Sequence, residues 1–496
     1  MAIPVIDVFA GPGGLNEGFS SVDHGNAYET VLSIEMENSA IATLTLRATM
    51  RGIRKSGNEA ALRTLSKYLS QKIELAEFYS ESEIAPFYEH ARYEVQQFTL
   101  SKESRAESDA LIRDRLTQPE GTIPQQWVLI GGPPCQAYSL AGRSRRTNDE
   151  TFEDDHKHFL FKEYLHIIEE FRPSVFVMEN VKGMLSSTNR GLKIFELIQH
   201  DLENFPNNLK YNLHSMVVEN TEQELKPSDF LIRSEQYGIP QKRHRVIIVG
   251  VRADLGDIKP SVLTQAPAVT VSDAIKDLPR LRSAVSKPRD LDGELWNSIW
   301  SKYHKDSAQM PLHRRSDRYE PRGGKVRGDA SDLLAWLTSN APSRLWNHES
   351  RSHMDSDLDR YALLAKLALD PPYNSAASPK VRDLSEDLWP EHKNIKNRDA
   401  PFADRFRVQA WNAPSTTIVS HISKDGHYYI HPDPTQMRSL TVREAARLQT
   451  FPDDYIFLGN RTQQYTQVGN AVPPLLAKQI GESISRMLRR PERTLF

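Results

Sequence analysis

The chain of 496 residues holds one cysteine, Cys135, in the stretch "VLIGGPPCQAYSLAGR" (128–143). A lone thiol either attacks an electrophilic carbon or fills space as a small buried hydrophobe. Gly131, Gly132, Pro133 and Pro134 precede it and predict an abrupt strand end followed by a stiff turn, the kind of loop that borders clefts. Both readings stand on this segment alone. A carboxylate follows in "FVMENVKGM" (176–184), where Glu179 and Asn180 close an apolar run. Glu179 is either a capping acid or a partner of the thiol. In "YGIPQKRHRVIIVG" (237–250), Arg243 and Arg245 stand two apart before another apolar run, so strand alternation puts both guanidiniums on one face. They form a solvated edge, or a clamp for a carboxylate, a phosphate or a base carbonyl. The fourth group is "DVFAGPGGLNEGF" (7–19), whose glycines let backbone N–H groups approach a ligand closely. Its spacing differs from the G-x-G-x-x-G of NAD-binding folds. Glu35 lies 21 residues beyond Gly14, where a carboxylate can accept hydrogen bonds from ribose hydroxyls. Together these features predict an adenosine-bearing cofactor other than NAD. His421, His427 and His431 are irregularly spaced and lack companion cysteines, so no metal site is expected.

These side chains need elements to carry them. "IPVIDVFA" reads as a strand, "GPGG" as a turn, and "YETVLSIEME" as a second strand ending in carboxylates. Further strands fall at "WVLI" (127–130), "SVFVMEN" (174–180) and "RVIIVGVR" (245–252), with a helix in "FLFKEYLHIIEEF". Such alternation predicts an α/β fold with a mainly parallel sheet, whose strand carboxyl ends gather the glycine turn, the Cys135 loop and Glu179 at one edge. A catalytic domain is expected over 1–254, with 51–120 as a charged, mostly helical insertion. From 255 to 437 periodicity fades and proline, tryptophan, histidine and arginine become frequent, which predicts a smaller, irregular second domain. Residues 438–496 recover order and are expected to return to the first domain: "TVREAARLQ" is helical, "FPDDY" a turn, and "PPLLAKQIGESISRMLRR" a terminal helix. "QYTQVGNAVPPL" reads as a glycine-asparagine turn leading into that helix.

With 39% hydrophobic and 26% charged residues, the composition is that of a globular protein of more than one domain. A single cysteine excludes an intramolecular disulfide and a multi-cysteine zinc site, so a reducing compartment is expected. "MAIPVIDVFAGPGG" lacks the basic flank and apolar core of a signal peptide, and no run approaches the ~18 apolar residues of a membrane span. A cytoplasmic protein without a membrane partner is therefore expected. The net charge of −2 offers no global attraction for nucleic acid, although a local basic face would suffice.

Taken in chain order, "DVFAGPGG", "GGPPCQAYS", "ENV", "QKRHR", "RSLTVREAARLQTFPDDY" and "QVGNAVPP" resemble the motifs of the cytosine-C5 DNA methyltransferase family, bacterial type. The resemblance covers 1–50, 125–252 and 438–485. It implies a class I methyltransferase, Rossmann-like domain, S-adenosylmethionine as cofactor and double-stranded DNA as substrate. It implies Cys135 as the thiolate that adds to cytosine C6, a role that suits a group both nucleophilic and able to leave. Glu179 would hold the N3 edge, and Arg245 would contact the O2 side with Arg243 near it. A base attacked at C6 must first leave the duplex stack. On the cofactor side the resemblance implies Phe9, Gly11, Gly13, Gly14 and Leu15 in the glycine loop, Glu35 at the ribose and Met36 against adenine. Pro133, Leu160, Asn470 and Val472 match further cofactor positions. The acidic residue that the family offers to the adenine amino group after its third strand has no clean equivalent here; the nearest stretch is "YEVQQFTLSKE" (93–103).

The region 255–437 falls where the family keeps its target-recognition domain. "PLHRRSDRYEPRGGKVRG" (311–328) carries six Lys/Arg against two acids, which predicts phosphate contacts at Arg314, Arg315, Arg318 and Arg322. "FADRFRVQAWNAPSTTIVSHISKDGHYYIHPD" mixes aromatic, basic and hydroxyl residues suited to reading base edges. A monomer working beside a cognate restriction endonuclease is expected. The alternatives are a tRNA cytosine-C5 methyltransferase, a non-catalytic DNA-binding homologue and a nucleotide-dependent oxidoreductase. The large region ahead of "RSLTVREAARLQ" favours DNA over tRNA, the joint presence of Cys135, Glu179, Arg243 and Arg245 favours catalysis, and the glycine spacing disfavours the oxidoreductase.

Overall fold

The first strand, β1 (Ile3–Val8), is almost continuously apolar and buried, as a strand covered on both faces must be. In the computed structural model, which describes residues 2–134, 160–186, 188–189, 192–219, 225–286, 290, 292–304, 309–316, 330–373, 378–391 and 405–489, β1 lies within an eight-stranded sheet. The strands are β2 (Tyr28–Glu35), β3 (Val95–Gln97), β4 (Val128–Gly131), β5 (Val175–Val181), β6 (Tyr211–His214), β7 (Leu231–Arg233) and β8 (His244–Arg252). Their order is β3-β2-β1-β4-β5-β8-β6, with β7 pairing on β8. From β3 to β5 all neighbours run parallel, while β8 runs antiparallel to β5, β6 and β7. The order reverses between β1 and β4, and the glycine loop and the Gly-Gly-Pro-Pro loop leave the carboxyl ends of those two strands. A crevice forms at such a reversal in open α/β sheets.

Alternation within the strands sorts side chains to two faces. On one face Val5, Val128, Val175, Val177, Ile247 and Val249 pack with Leu15 and Phe19 of α1 (Gly14–Ser20) and with the terminal helix Pro474–Leu488. On the other, Ile6, Val8, Leu129, Phe176 and Met178 pack with the helices Arg105–Leu116 and Leu160–Phe171. The α/β class and the mainly parallel sheet agree with the expectation. The stretch 51–120 is not simply helical, however. After α2 (Asn38–Ser56) and α3 (Glu59–Leu69), β3 joins the sheet in register Ser33–Val95 to Glu35–Gln97. A strand of 3 residues carries too little alternation to be read from sequence.

The region after 255 contains short helices, among them Glu294–Tyr303 and Asp355–Leu367, and two-residue strands. Its core does not end at 437. Val271, Leu333, Leu337, Ile418 and Tyr429 share one apolar cluster with Leu440, Val442, Leu448, Phe451, Tyr455, Val468 and Ala471. The segment following 437 therefore completes the second lobe before Val472 and Leu476 rejoin the sheet. The stretch "QYTQVGN" lies in a helix, Arg461–Asn470, and not in a turn. Its Gly469 brings the helix backbone against the Val419–Ser420 backbone so closely that a Cβ would overlap it. Among the described residues no helix is long and apolar enough to cross a membrane.

Candidate active site

The glycine loop leaves β1 in an unusual backbone conformation. Phe9 has φ 56°, a left-handed value for an aromatic residue, and Gly11 and Gly13 follow at 55° and 86°. Holding Phe9 there costs about 1–3 kcal/mol, so neighbours must enforce it. Ala10 N–H donates to the Ile34 carbonyl (3.1 Å) and Gly13 N–H to the Ala10 carbonyl (2.9 Å). Gly11 N–H donates to Glu35 Oε2 (2.8 Å). Glu35 Oε1 accepts from Met36 and Glu37 N–H at 2.8 and 3.0 Å. The carboxylate at the end of β2 thus ties the loop to the second strand. Leu15 is buried in the core below, and a Cβ on Gly14 would overlap the Val472 carbonyl oxygen.

Two features beside this loop went unread in the sequence. Asp7, next to last in β1, is 1% exposed, and neither carboxylate oxygen accepts a hydrogen bond among the described residues. Burial first, then the charges of Glu35 and Glu94, push its pKa well above the usual carboxylate range. An acid inside "IPVIDV" was the available signal, because a strand covered on both faces has no solvent for a charge. The second is Gln97, the register partner of Glu35. Its Nε2 donates to the Met36 carbonyl (3.1 Å), and no described residue donates to its Oε1. Met36 itself is 54% exposed, a large apolar side chain left open beside two polar ones.

At the neighbouring strand ends, Glu179 lies against the start of the cysteine loop. A Cβ on Gly132 would come within 3.1 Å of Glu179 Oε2. Asn180 Nδ2 donates to the Pro133 carbonyl (3.2 Å), anchoring that loop to β5. Arg245 Nε meets Glu179 Oε1 at 2.8 Å with both side chains largely buried, while its Nη1 donates to the His244 carbonyl (2.9 Å). Burial lowers the Arg245 pKa, and Glu179 opposes that shift. Cys135, Arg318 and Arg322 lie outside the described residues.

Arg243 departs from the expected pairing with Arg245. It sits at a break between the two-residue strand Gln241–Lys242 and β8, so period-two alternation does not carry through it. Its Nη1 donates to the carbonyls of Ile418 (2.7 Å) and Gly469 (3.2 Å). The guanidinium is fully buried and its pKa is lowered, by desolvation first and then by Arg245. Arg243, immediately before β8, fastens the sheet to the second lobe at both Ile418 and helix Arg461–Asn470. Gln241 adds to that seam, accepting from Ile418 N–H (2.6 Å) and donating to Gln449 Oε1 (2.9 Å).

The remaining expected residues are dispersed. Leu160 begins its helix and is half-buried; Asn470 ends another and is exposed; Val472 belongs to the core under α1. Arg314 is half-buried and turned toward the Ser350 carbonyl (3.4 Å) and Ser352 Oγ (3.1 Å), so it braces its own lobe. Arg315 is exposed and donates to Gln71 Oε1 (3.2 Å). Among the described residues no group of three or more His, Cys, Asp or Glu is placed to hold a metal ion.

A sheet whose order reverses between β1 and β4, with β8 inserted antiparallel beside the parallel strands, is the fold of a class I methyltransferase. A crystal structure of an E. coli prophage-encoded protein assigned as a DNA modification methyltransferase shares this fold, with a TM-score of 0.53, 20% identity, and 98% of this chain and 99% of that one covered. The C-5 cytosine-specific DNA methylase profile matches residues 95–486, and the chain belongs to that family. It is 32% identical to the Type II methyltransferase M.Bpa9945I of Bacillus paralicheniformis over 98% of this chain and 99% of the relative. It is 29% identical to the Type II methyltransferase M.AgeI of Thalassovita gelatinovora over 73% and 84%.

Proposed function

We propose that this C-5 cytosine DNA methyltransferase acts within a Type II restriction-modification system, through a covalent Cys135–C6 adduct on a flipped-out cytosine. The observation that carries the reading is the Glu179–Arg245 pair, 2.8 Å apart, against the loop that leads into Cys135. A carboxylate held there by one guanidinium suits the N3 edge of a cytosine, and the guanidinium suits its O2. Cys135 then adds to C6 as a thiolate, and the electron pair released into the ring makes C5 nucleophilic. After methylation, loss of the C5 proton and expulsion of Cys135 restore the aromatic ring. Asn180 holds the loop through Pro133.

The residues fit S-adenosylmethionine, which supplies an electrophilic methyl group when bound. It is a cation near its reacting centre, and Asp7 is a buried carboxylate without a described partner beneath the glycine loop. Gly11, Gly13 and Gly14 would admit its methionine portion, Glu35 its ribose and Met36 its adenine. Gln97 Oε1 would accept from the adenine amino group in place of the family's acid. Phe9, Leu15, Pro133, Leu160, Asn470 and Val472 are read as lining the same site. The names of the two relatives support the Type II assignment. The lobe after 255 is read as the target-recognition region of a cytoplasmic monomer acting on duplex DNA beside a cognate endonuclease, with Arg315 as its described phosphate contact.

Duplex DNA carrying 5-fluorocytosine at the target tests the reading. Fluorine cannot leave C5 as a proton, so a denaturant-stable complex should form with wild type and S-adenosylmethionine and be absent with Cys135→Ser. No complex with wild type, or an equal one with the serine variant, overturns the adduct.

A further inference from the structure

The "FPDDY" turn reaches the glycine loop at Pro12, one residue beyond the Gly11 N–H held by Glu35. Tyr455 is buried in the second lobe's cluster, its ring 4.7 Å from Phe451 and 5.4 Å from Phe457 between centroids. Its hydroxyl donates to the Pro12 carbonyl, in the middle of the loop. That carbonyl belongs to the peptide joining Pro12 to Gly13, whose N–H already donates to the Ala10 carbonyl (2.9 Å). Both polar ends of one peptide are therefore tied. Rotation of this peptide turns ψ of Pro12 and φ of Gly13; Gly13, at φ 86°, takes either sign of φ readily, so an untied peptide here could rotate at little cost.

The tyrosine is itself held firmly. Arg47 lies 5.1 Å from the ring centroid, with its guanidinium on Glu17 of α1 (2.8 and 2.5 Å) and on Asp454 (2.8 Å). Arg54 also donates to Asp454 (2.5 Å), and Arg443 to the Tyr455 carbonyl (2.8 Å). A Cβ on Gly13 would approach the hydroxyl to 3.0 Å, so the phenol also borders the loop sterically.

We infer that Tyr455 is a positioning residue for cofactor binding: its hydroxyl fixes the Pro12–Gly13 peptide so that the loop keeps one binding conformation. Because the tyrosine comes from the second lobe's core, the cofactor loop takes its shape from that lobe as well as from the sheet. The inference rests on reading the glycine loop as the S-adenosylmethionine site.

Tyr455→Phe removes the hydroxyl and keeps the ring. Calorimetric titration with S-adenosylhomocysteine, and steady-state kinetics against S-adenosylmethionine and against DNA, form the test. Losing one buried hydrogen bond should raise the Kd for S-adenosylhomocysteine and the KM for S-adenosylmethionine about tenfold. The kcat and the KM for DNA should stay at wild-type values. If the variant binds S-adenosylhomocysteine as wild type does, the positioning role is refuted. If the KM for DNA and kcat deteriorate together with the cofactor KM, Tyr455 is general packing and the role is equally refuted. If wild type itself fails to bind S-adenosylhomocysteine, the cofactor reading falls first, which separates the two failures.

Discussion

Acidification from about pH 7.5 to about pH 5.5 should destabilise this protein markedly through histidines that the fold holds neutral. His348 and His431 are buried in the second lobe and His214 at the end of β6, and desolvation pushes each pKa down to about 4. The hydrogen bonds agree with neutral rings. Asp433 N–H donates to His431 Nδ1 (3.1 Å), which must therefore carry a lone pair. His431 Nε2 lies 3.5 Å from Glu444, but that carboxylate is already held by Arg438 at 2.6 and 2.7 Å, so its charge is spent on the arginine. In His348, Nε2 faces the Pro279 carbonyl (2.9 Å) and Nδ1 the Thr441 hydroxyl (3.1 Å). The unfolded chain takes up protons near pH 6.5 that the folded chain refuses until about pH 4, so stability falls as pH drops through this window. At about pH 5.5 each histidine loses about 1–2 kcal/mol, or on the order of 4 kcal/mol for the three together. His353, also driven well down by burial, adds to the loss. Urea unfolding followed by tryptophan fluorescence measures it, and His348→Gln should remove one histidine's share, about 1–2 kcal/mol, from the difference. A folding free energy unchanged between the two pH values would mean that these rings are solvated or charged in the folded state.

The other perturbations address the site and the seam. Glu179→Gln should slow single-turnover methylation by about 10²–10⁴-fold, because an amide cannot hold a protonated N3 as a carboxylate does; an unchanged single-turnover rate would make Glu179 structural. Asp7→Asn removes a buried carboxylate without a described partner, and should stabilise the free protein by about 1–3 kcal/mol while weakening S-adenosylmethionine binding. Thermal melts with and without cofactor check both signs, and equal cofactor affinity would refute the cation pairing. Arg243→Met leaves the Ile418 and Gly469 carbonyls without their donor and should cost about 2–4 kcal/mol in denaturant melts. Wild-type stability in that variant would mean that other contacts hold the lobes together.

The strand ends that carry Glu35, Glu179 and the Gly-Gly-Pro-Pro loop were legible because local rules place them. A short apolar run followed by glycine or proline marks a strand end, and in a parallel sheet strand ends are where ligands meet, so Glu35, Glu179 and the Gly-Gly-Pro-Pro turn could be assigned to one edge from spacing alone. β3 was hidden by its length, and with it Gln97, whose partnership with Glu35 exists only through sheet register. Alternation likewise pointed Arg243 and Arg245 to one face, but a break in the strand sends Arg243 to carbonyls 175 and 226 residues away. The same limit applies to the boundary expected at 437, since burial is decided by what packs against a segment and not by its own periodicity. Tyr455 and Pro12 are 443 residues apart, and only the folded chain makes them neighbours. The sequence by itself determined which groups stand at strand ends, a property of a few consecutive residues; the tertiary structure alone decided which of them touch, because that depends on contacts between distant segments.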